Sequence, residues 1–229
     1  LRDSLTLANL GGDFGVVGNE PAISSKAGRA YGVELLFQQR LYKGFYGIAS
    51  YTLGWTEFED KNNDFVRSAW DARHIANVAV GKKFESGWLK DVEIGVNWRF
   101  QSGLPFTPFA EASSLVLNWD VNGRGIRNFN RLNTLQADDF SAIDIRIDKK
   151  WYFEKWNLNI YLDIENLTGN GVAIPELILD RPLGADGIPQ GSGTIINPDA
   201  PISQQRYLLK ELEPEAGTAI PSIGLLVEI

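Results

Sequence analysis

The chain carries one histidine, His74, in the run Asp71-Ala72-Arg73-His74, with Ser68 just upstream. A lipase or acyltransferase sets such a histidine beside a serine as base and nucleophile. No oxyanion-type motif accompanies this pair, so it falls short of an active-site constellation, and the expectation is structural: Asp71 and Arg73 pair at a strand end. Asp120-Val121-Asn122-Gly123-Arg124-Gly125 imitates a calcium loop, with oxygen ligands at its first and third positions. A calcium loop also wants ligands at the fifth and twelfth positions, where Arg124 and Arg131 stand, so a turn is expected and no metal. Cysteine is absent, which removes thiolate metal sites and cysteine nucleophiles, and no glycine-rich phosphate motif occurs. Neither a cofactor nor enzymatic chemistry is expected.

Two further groups could bind. The stretch 102–140 mixes Phe106, Phe109, Trp119 and Phe129 with Asn118, Asp120, Asn122, Arg124 and Arg127. Aromatic platforms flanked by amides and guanidiniums bind sugars or peptides, although the same composition packs a loop against its neighbours. The second group is Arg99, Asp144, Arg146, Asp148, Asp163 and Glu165, spaced by twos, which puts them on one face of extended segments where cross-strand ion pairs can form.

The elements that must position these residues alternate with period two. Trp156, Leu158, Ile160, Leu162 and Ile164 share one parity, and Asn157, Asn159, Tyr161, Asp163 and Glu165 share the other. The same pattern recurs in Tyr31/Val33/Leu35/Phe37, in Phe45 through Trp55, in Ala76/Val78/Val80, in Val92 through Phe100, in Ile143/Ile145/Ile147 and in Ile223/Leu225/Val227. A weaker first strand is read at Leu5 and Leu7, which makes about eight. Connections alternate as well. Turns near 42–44, 85–89 and 154–155 are short, while long loops are expected near 11–27, 57–70, 102–140 and 168–218, the last rich in Gly and Pro and expected to be mobile or externally packed.

Apolar and charged faces joined by short turns at one edge and long loops at the other predict an all-β fold, an antiparallel transmembrane β-barrel with lipid on one face and a watery lumen on the other. Short turns of such barrels face the periplasm, so the C-terminus is expected in the periplasm and the long loops outside a bacterial outer membrane. Phe45, Trp55, Trp88, Trp98, Phe100, Trp151, Phe153 and Trp156 fall at strand ends, where interfacial girdles belong. No run reaches the roughly 18 apolar residues of a membrane-spanning helix. A mean hydropathy of -0.17 is compatible with strand spans, whose alternate residues are polar. The net charge of -7 disfavours nucleic acid as a partner. With Leu1 first and no signal-like segment, a processed chain or a fragment is expected.

Several stretches, taken in order, resemble the C-terminal barrel region of TonB-dependent outer-membrane receptors in the form common among Bacteroidetes. They are Ser68-Ala69-Trp70-Asp71-Ala72-Arg73-His74, Trp98-Arg99-Phe100-Gln101-Ser102-Gly103 with Pro105-Phe106-Thr107-Pro108, Arg131-Leu132-Asn133, Asp144 through Trp151, Asp163-Ile164-Glu165-Asn166, and Pro221-Ser222-Ile223-Gly224. The resemblance implies a 22-stranded barrel of which residues 1–229 are the last third, with a plug domain and TonB box upstream of this chain. It implies import of a bulky, scarce ligand, such as a metal chelate, oligosaccharide or peptide, driven by the proton gradient. The implied partners are outer-membrane lipid, upstream strands or a second chain completing the barrel, the TonB complex, and a surface substrate-binding lipoprotein. Ile229 departs from the aromatic last residue usual in outer-membrane barrels. Two alternatives stand beside this reading: a complete eight-stranded barrel acting as anchor or adhesin, and a soluble β-sandwich or jelly roll.

Overall fold

Residue pairs that exchange backbone hydrogen bonds across strands point their side chains to the same face, so strand register decides whether the two parities of this sequence add up to two continuous surfaces. A computed structural model describes residues 26–60, 62–171, 174–184, 190–212 and 217–229. The expected strand at Leu5 and Leu7, and most of the expected 11–27 loop, lie outside them. The chain is all-β in class and mostly antiparallel, and it divides into two compact units: residues 1–104, 138–172 and 215–229, and residues 105–137 and 173–214.

The first unit is a single sheet. Its strands are β1 (Gly28–Tyr42), β2 (Phe45–Glu59), β3 (Phe65–Arg67), β4 (His74–Lys83), β5 (Val92–Gln101), β8 (Phe140–Tyr152), β9 (Asn157–Glu165) and β12 (Ile220–Glu228). Each long strand pairs antiparallel with the next in sequence, in the order β1-β2-β4-β5-β8-β9-β12, and β3 is a short flap on β2. Among the described residues β1 and β12 each have one neighbour, so both are open edges. The β1–β2 hairpin turns on Lys43 and Gly44, both at positive φ, the pattern of the two-residue turns that match strand twist.

Register carries one apolar surface across the sheet. Phe37 pairs with Ala49, Ala49 with Val78, Val78 with Trp98 and Trp98 with Ile143; a neighbouring row runs Gly47, Val80, Val96, Ile145, Ile164 and Pro221. The opposite face runs Tyr46, Gly81, Gly95, Arg146, Asp163 and Ser222, flanked by Ile48, Ala79, Asn97 and Asp144. None of the hydrophobic residues of this surface among those described is buried: Val80 is 49% exposed, Ile147 39% and Ile160 38%, and Val78, Trp98, Ile143 and Ile145 are half-buried, where the core side of a water-soluble sheet would be covered. The edge strands β1 and β12 are exposed on both faces.

The second unit contains β6 (Pro105–Phe106), β7 (Leu135–Gln136), β10 (Glu176–Leu179), β11 (Leu209–Leu212) and the helix α1 (Val116–Asn122). β6 pairs with β7 and β10 with β11, each pair antiparallel. Two of the expected long loops therefore fold with each other. Val116, Trp119 and Tyr207 are buried together, with Leu177, Leu179, Ile195 and Leu209 packed on them. Helix α1 ends at Gly123, whose left-handed φ of 65° lets its amide close on the Trp119 carbonyl at 2.7 Å.

Candidate functional site

The charged residues spaced by twos converge on the polar face of the sheet. Asp144 on β8 accepts from Arg99 Nη2 at 3.1 Å and from Asn97 Nδ2 at 3.0 Å, both on β5, and from the Asn166 amide at 2.9 Å. Arg146 donates to both oxygens of Asp148, at 2.9 and 3.0 Å, and reaches Asp163 on β9 at 3.5 Å. Its guanidinium also lies 3.9 Å from the ring centre of Tyr161. Asp148 accepts in addition from Asn159 Nδ2 at 2.9 Å. Glu165 is exposed, with no hydrogen bond or ion pair from its side chain among the described residues. These pairs are partly open to solvent, where each is worth about 0–1 kcal/mol, so they fill and satisfy a polar surface more than they stabilise it.

Glycines shape that surface. Tyr46 lies across Gly81, its register partner, and Tyr161 lies across Gly224, so a methyl group at either glycine would strike the ring. Gly95 is uncovered, with the Arg146 carbonyl oxygen 4.0 Å from where a β-carbon would stand. Two recesses meet at Gly95. One, of about 390 Å³, is walled by Tyr46, Lys83, Glu93, Arg146 and Asp148; the other, of about 450 Å³, by Tyr46, Asn97, Arg99, Asp144 and Asp163. Tyr46 donates to Glu93 across the first. Sequence spacing gave no warning of the Tyr46–Glu93 contact; the signal for the recess is glycine in strand interiors, which marks close approach or open space.

Asp71 and Arg73 do pair, at 2.8 Å, and the pair is part of a larger knot. Asp71 is 1% exposed and accepts from Arg67 Nε at 2.6 Å and from the Thr56 amide at 2.9 Å. Burial pushes its carboxyl pKa up, but the hydrogen bonds from Arg73, Arg67 and Thr56 outweigh that and hold it below the usual carboxylate range. His74 stands on the apolar face, its Nδ1 2.8 Å from the Tyr51 hydroxyl and its amide donating to Ser102 Oγ at 3.0 Å. Ser68 Oγ accepts from the Trp70 amide at 3.1 Å, a local turn contact.

In the second unit the six candidate ligand contacts part company. Trp119 is 6% exposed and sits in the core. Asn118 Nδ2 donates to the Ala112 carbonyl at 2.9 Å and Asn122 Nδ2 to the Asn118 carbonyl at 2.7 Å. Asp120 accepts from the Tyr207 hydroxyl at 3.0 Å; burial and this carboxylate together push the phenol pKa up. Arg127 donates to the Thr107 carbonyl at 2.9 Å and stacks 3.9 Å from the centre of Phe109. Arg124 alone of the six stands on the surface without a partner among the described residues. The calcium-like run is the last turn of α1 with its glycine cap. No group of three or more His, Cys, Asp or Glu side chains suited to a metal occurs among the described residues.

The chain matches no family model, no curated protein and no solved structure.

Proposed function

We propose that this chain is a segment of an outer-membrane β-barrel of the TonB-dependent transporter kind, a non-enzymatic wall and loop surface for import of a bulky ligand. The observation that carries the membrane part is the apolar face, continuous in register from β1 to β12 with no buried hydrophobic residue among those described, and backed by a face of ions and amides. The strands have suitable length. β4 and β5 have 10 residues each and β9 and β12 have 9, near the roughly 9–11 that a tilted span needs. Phe45 and Trp55 bracket about 33 Å of strand, which a tilt near 40° converts to about 25 Å, the height of the apolar band of such barrels.

The transporter part rests on the ordered motifs that resemble that family's and on the two edges that are open among the described residues, which a barrel must pair with further strands. The reading gives the polar face a lumen and the long loops an exterior aspect, with proton-gradient coupling supplied through TonB by upstream parts. The test is the intact mass and N-terminal sequence of the polypeptide carrying this segment, extracted from native outer membranes. A detergent-dependent chain several times larger than 25.5 kDa, with a plug-like region upstream, is expected. A membrane-bound chain near 25.5 kDa would contradict the transporter and leave a small self-closed barrel. Recovery in the soluble fraction would contradict both.

A further inference from the structure

The two ends of the apolar face are finished differently. At the long-loop end Lys26 donates to Asn63, and three arginines meet two carboxylates: Arg29 on Glu57 at 2.7 Å, and Arg67 and Arg73 together on Asp71 at 2.6 and 2.8 Å. Their guanidiniums also cover rings there, Arg29 over Phe65 at 3.9 Å and Arg73 over Trp55 at 5.0 Å.

At the short-turn end stand Arg40 and seven of the ten lysines in the chain, on or beside the three turns that join β1 to β2, β4 to β5 and β8 to β9; one of the seven, Lys150, is paired with Glu228 at 2.7 Å. Two of them, Lys82 and Lys149, lie on the apolar face itself, in register with Ile94 and Val92. Lys82 Nζ sits 3.7 Å from the centre of the Phe45 ring and donates to the Lys43 carbonyl at 2.8 Å. Lys149 Nζ sits 5.6 Å from the centre of Trp151 and donates to the Lys90 carbonyl. Neither forms an ion pair with a carboxylate among the described residues.

A carbonyl and an aromatic face orient an ammonium without cancelling its charge, and an ammonium has three donors, so each lysine keeps a full positive charge and spare hydrogens. Just beyond them lie the bare side chains of Val80, Ile147 and Ile160. Acyl chains on those side chains put a headgroup at the level of the lysines, whose stems run along the apolar surface while the amines reach the polar layer. We propose that this short-turn rim, centred on Lys82 and Lys149 with Phe45 and Trp151, binds the phosphodiester headgroups of anionic lipids. The proposal rests on the membrane reading above and adds a leaflet preference to it: the arginines of the long-loop rim all donate to Glu57 or Asp71, whereas Lys82 and Lys149 have no carboxylate partner among the described residues.

The test uses the full polypeptide that carries this segment, reconstituted in vesicles of dibrominated phosphatidylglycerol or dibrominated phosphatidylcholine, with tryptophan quenching as the readout of lipid in contact with the apolar face. A preference for the anionic lipid is expected, roughly fivefold for each unneutralised lysine. It should fall towards unity in Lys82→Gln/Lys149→Gln, persist in Lys82→Arg/Lys149→Arg, and weaken in the unaltered protein as salt is raised to about 1 M, where screening is nearly complete beyond about 3 Å. The salt series stands even if the glutamine variant does not fold. Equal quenching by both lipids, or a preference that survives Lys82→Gln/Lys149→Gln and high salt, overturns the headgroup proposal while leaving the membrane reading in place. No quenching by either lipid overturns the membrane reading itself.

Discussion

The loop unit and the sheet unit satisfy the same requirement in opposite ways. Residues 105–137 and 173–214 bury Val116, Trp119 and Tyr207 against one another, as a small water-soluble domain does. The sheet, with far more apolar side chains, keeps Ala142 as its single fully buried hydrophobic residue among those described and leaves Val80, Ile147 and Ile160 exposed on its inner strands. Hydrogen-bond ladders and register hold the sheet together, and on the membrane reading proposed above its hydrophobic driving force comes from lipid outside these strands. A chain can therefore carry two kinds of stability, one internal and one conferred by the solvent of the apolar face, and the two should respond to different perturbations.

The sharpest separation should come from Trp119→Ala. Removing a buried tryptophan costs about 3–5 kcal/mol, and hydrogen exchange should show lost protection in the second unit while amides of β4, β5 and β8 keep theirs. Equal loss in both units would break the comparison. Next is Ile145→Arg on the apolar face. A cation at the bilayer midplane costs about 2–4 kcal/mol, to be read as a lower denaturant midpoint in vesicles. A change below about 0.5 kcal/mol, usual for a surface site, would argue that water already covers this face.

Asp71→Ala removes the carboxylate that accepts from Arg67, Arg73 and the Thr56 amide. Breaking a buried pair costs about 3–5 kcal/mol, reduced to about 2 kcal/mol here because both arginines reach solvent. The pH dependence follows in sign. The folded pKa of Asp71 is lowered, so its contribution is complete above the unfolded value of about 3.9 and is lost as pH falls through the lower folded value. Acid should loosen residues 65–74 in the wild type and have no such local effect in Asp71→Asn, by exchange of the Thr56 amide. The smallest effect belongs to Arg99→Gln on the polar face, about 0–1 kcal/mol for a half-exposed ion pair.

Seven of the strands were legible because period-two alternation survives wherever one face is apolar and the other polar, as in Asn157–Glu165. Their lengths were less so: β1 and β2 run to 15 residues each, since pairing continues past the apolar stretch into Arg29, Glu57 and Glu59. The polar-face residues were legible for the same reason as the strands, because spacing by twos fixes the face. The internal fold of residues 105–137 and 173–214 was not. Trp119 and Tyr207 are far apart in sequence, and nothing in local periodicity tells a loop aromatic that packs on a distant partner from one that awaits a ligand. The Asp71 knot was half legible: Asp71 and Arg73 are close neighbours, whereas the Thr56 amide reaches the carboxylate only through the return of the chain after β2.

The most direct test of the account exploits the absence of cysteine from residues 1–229, with any cysteine elsewhere in the full polypeptide replaced by serine. Single cysteines at 76, 77, 78, 79 and 80 along β4, spin-labelled in the reconstituted full polypeptide, report accessibility to oxygen, which partitions into lipid, and to a water-soluble nickel chelate. The account predicts a period of two, with labels at Ala76, Val78 and Val80 oxygen-accessible and shielded from the chelate, and labels at Asn77 and Ala79 the reverse. Chelate access at Val78 equal to that at Asn77 would contradict it, because the apolar face would then be in water or under protein.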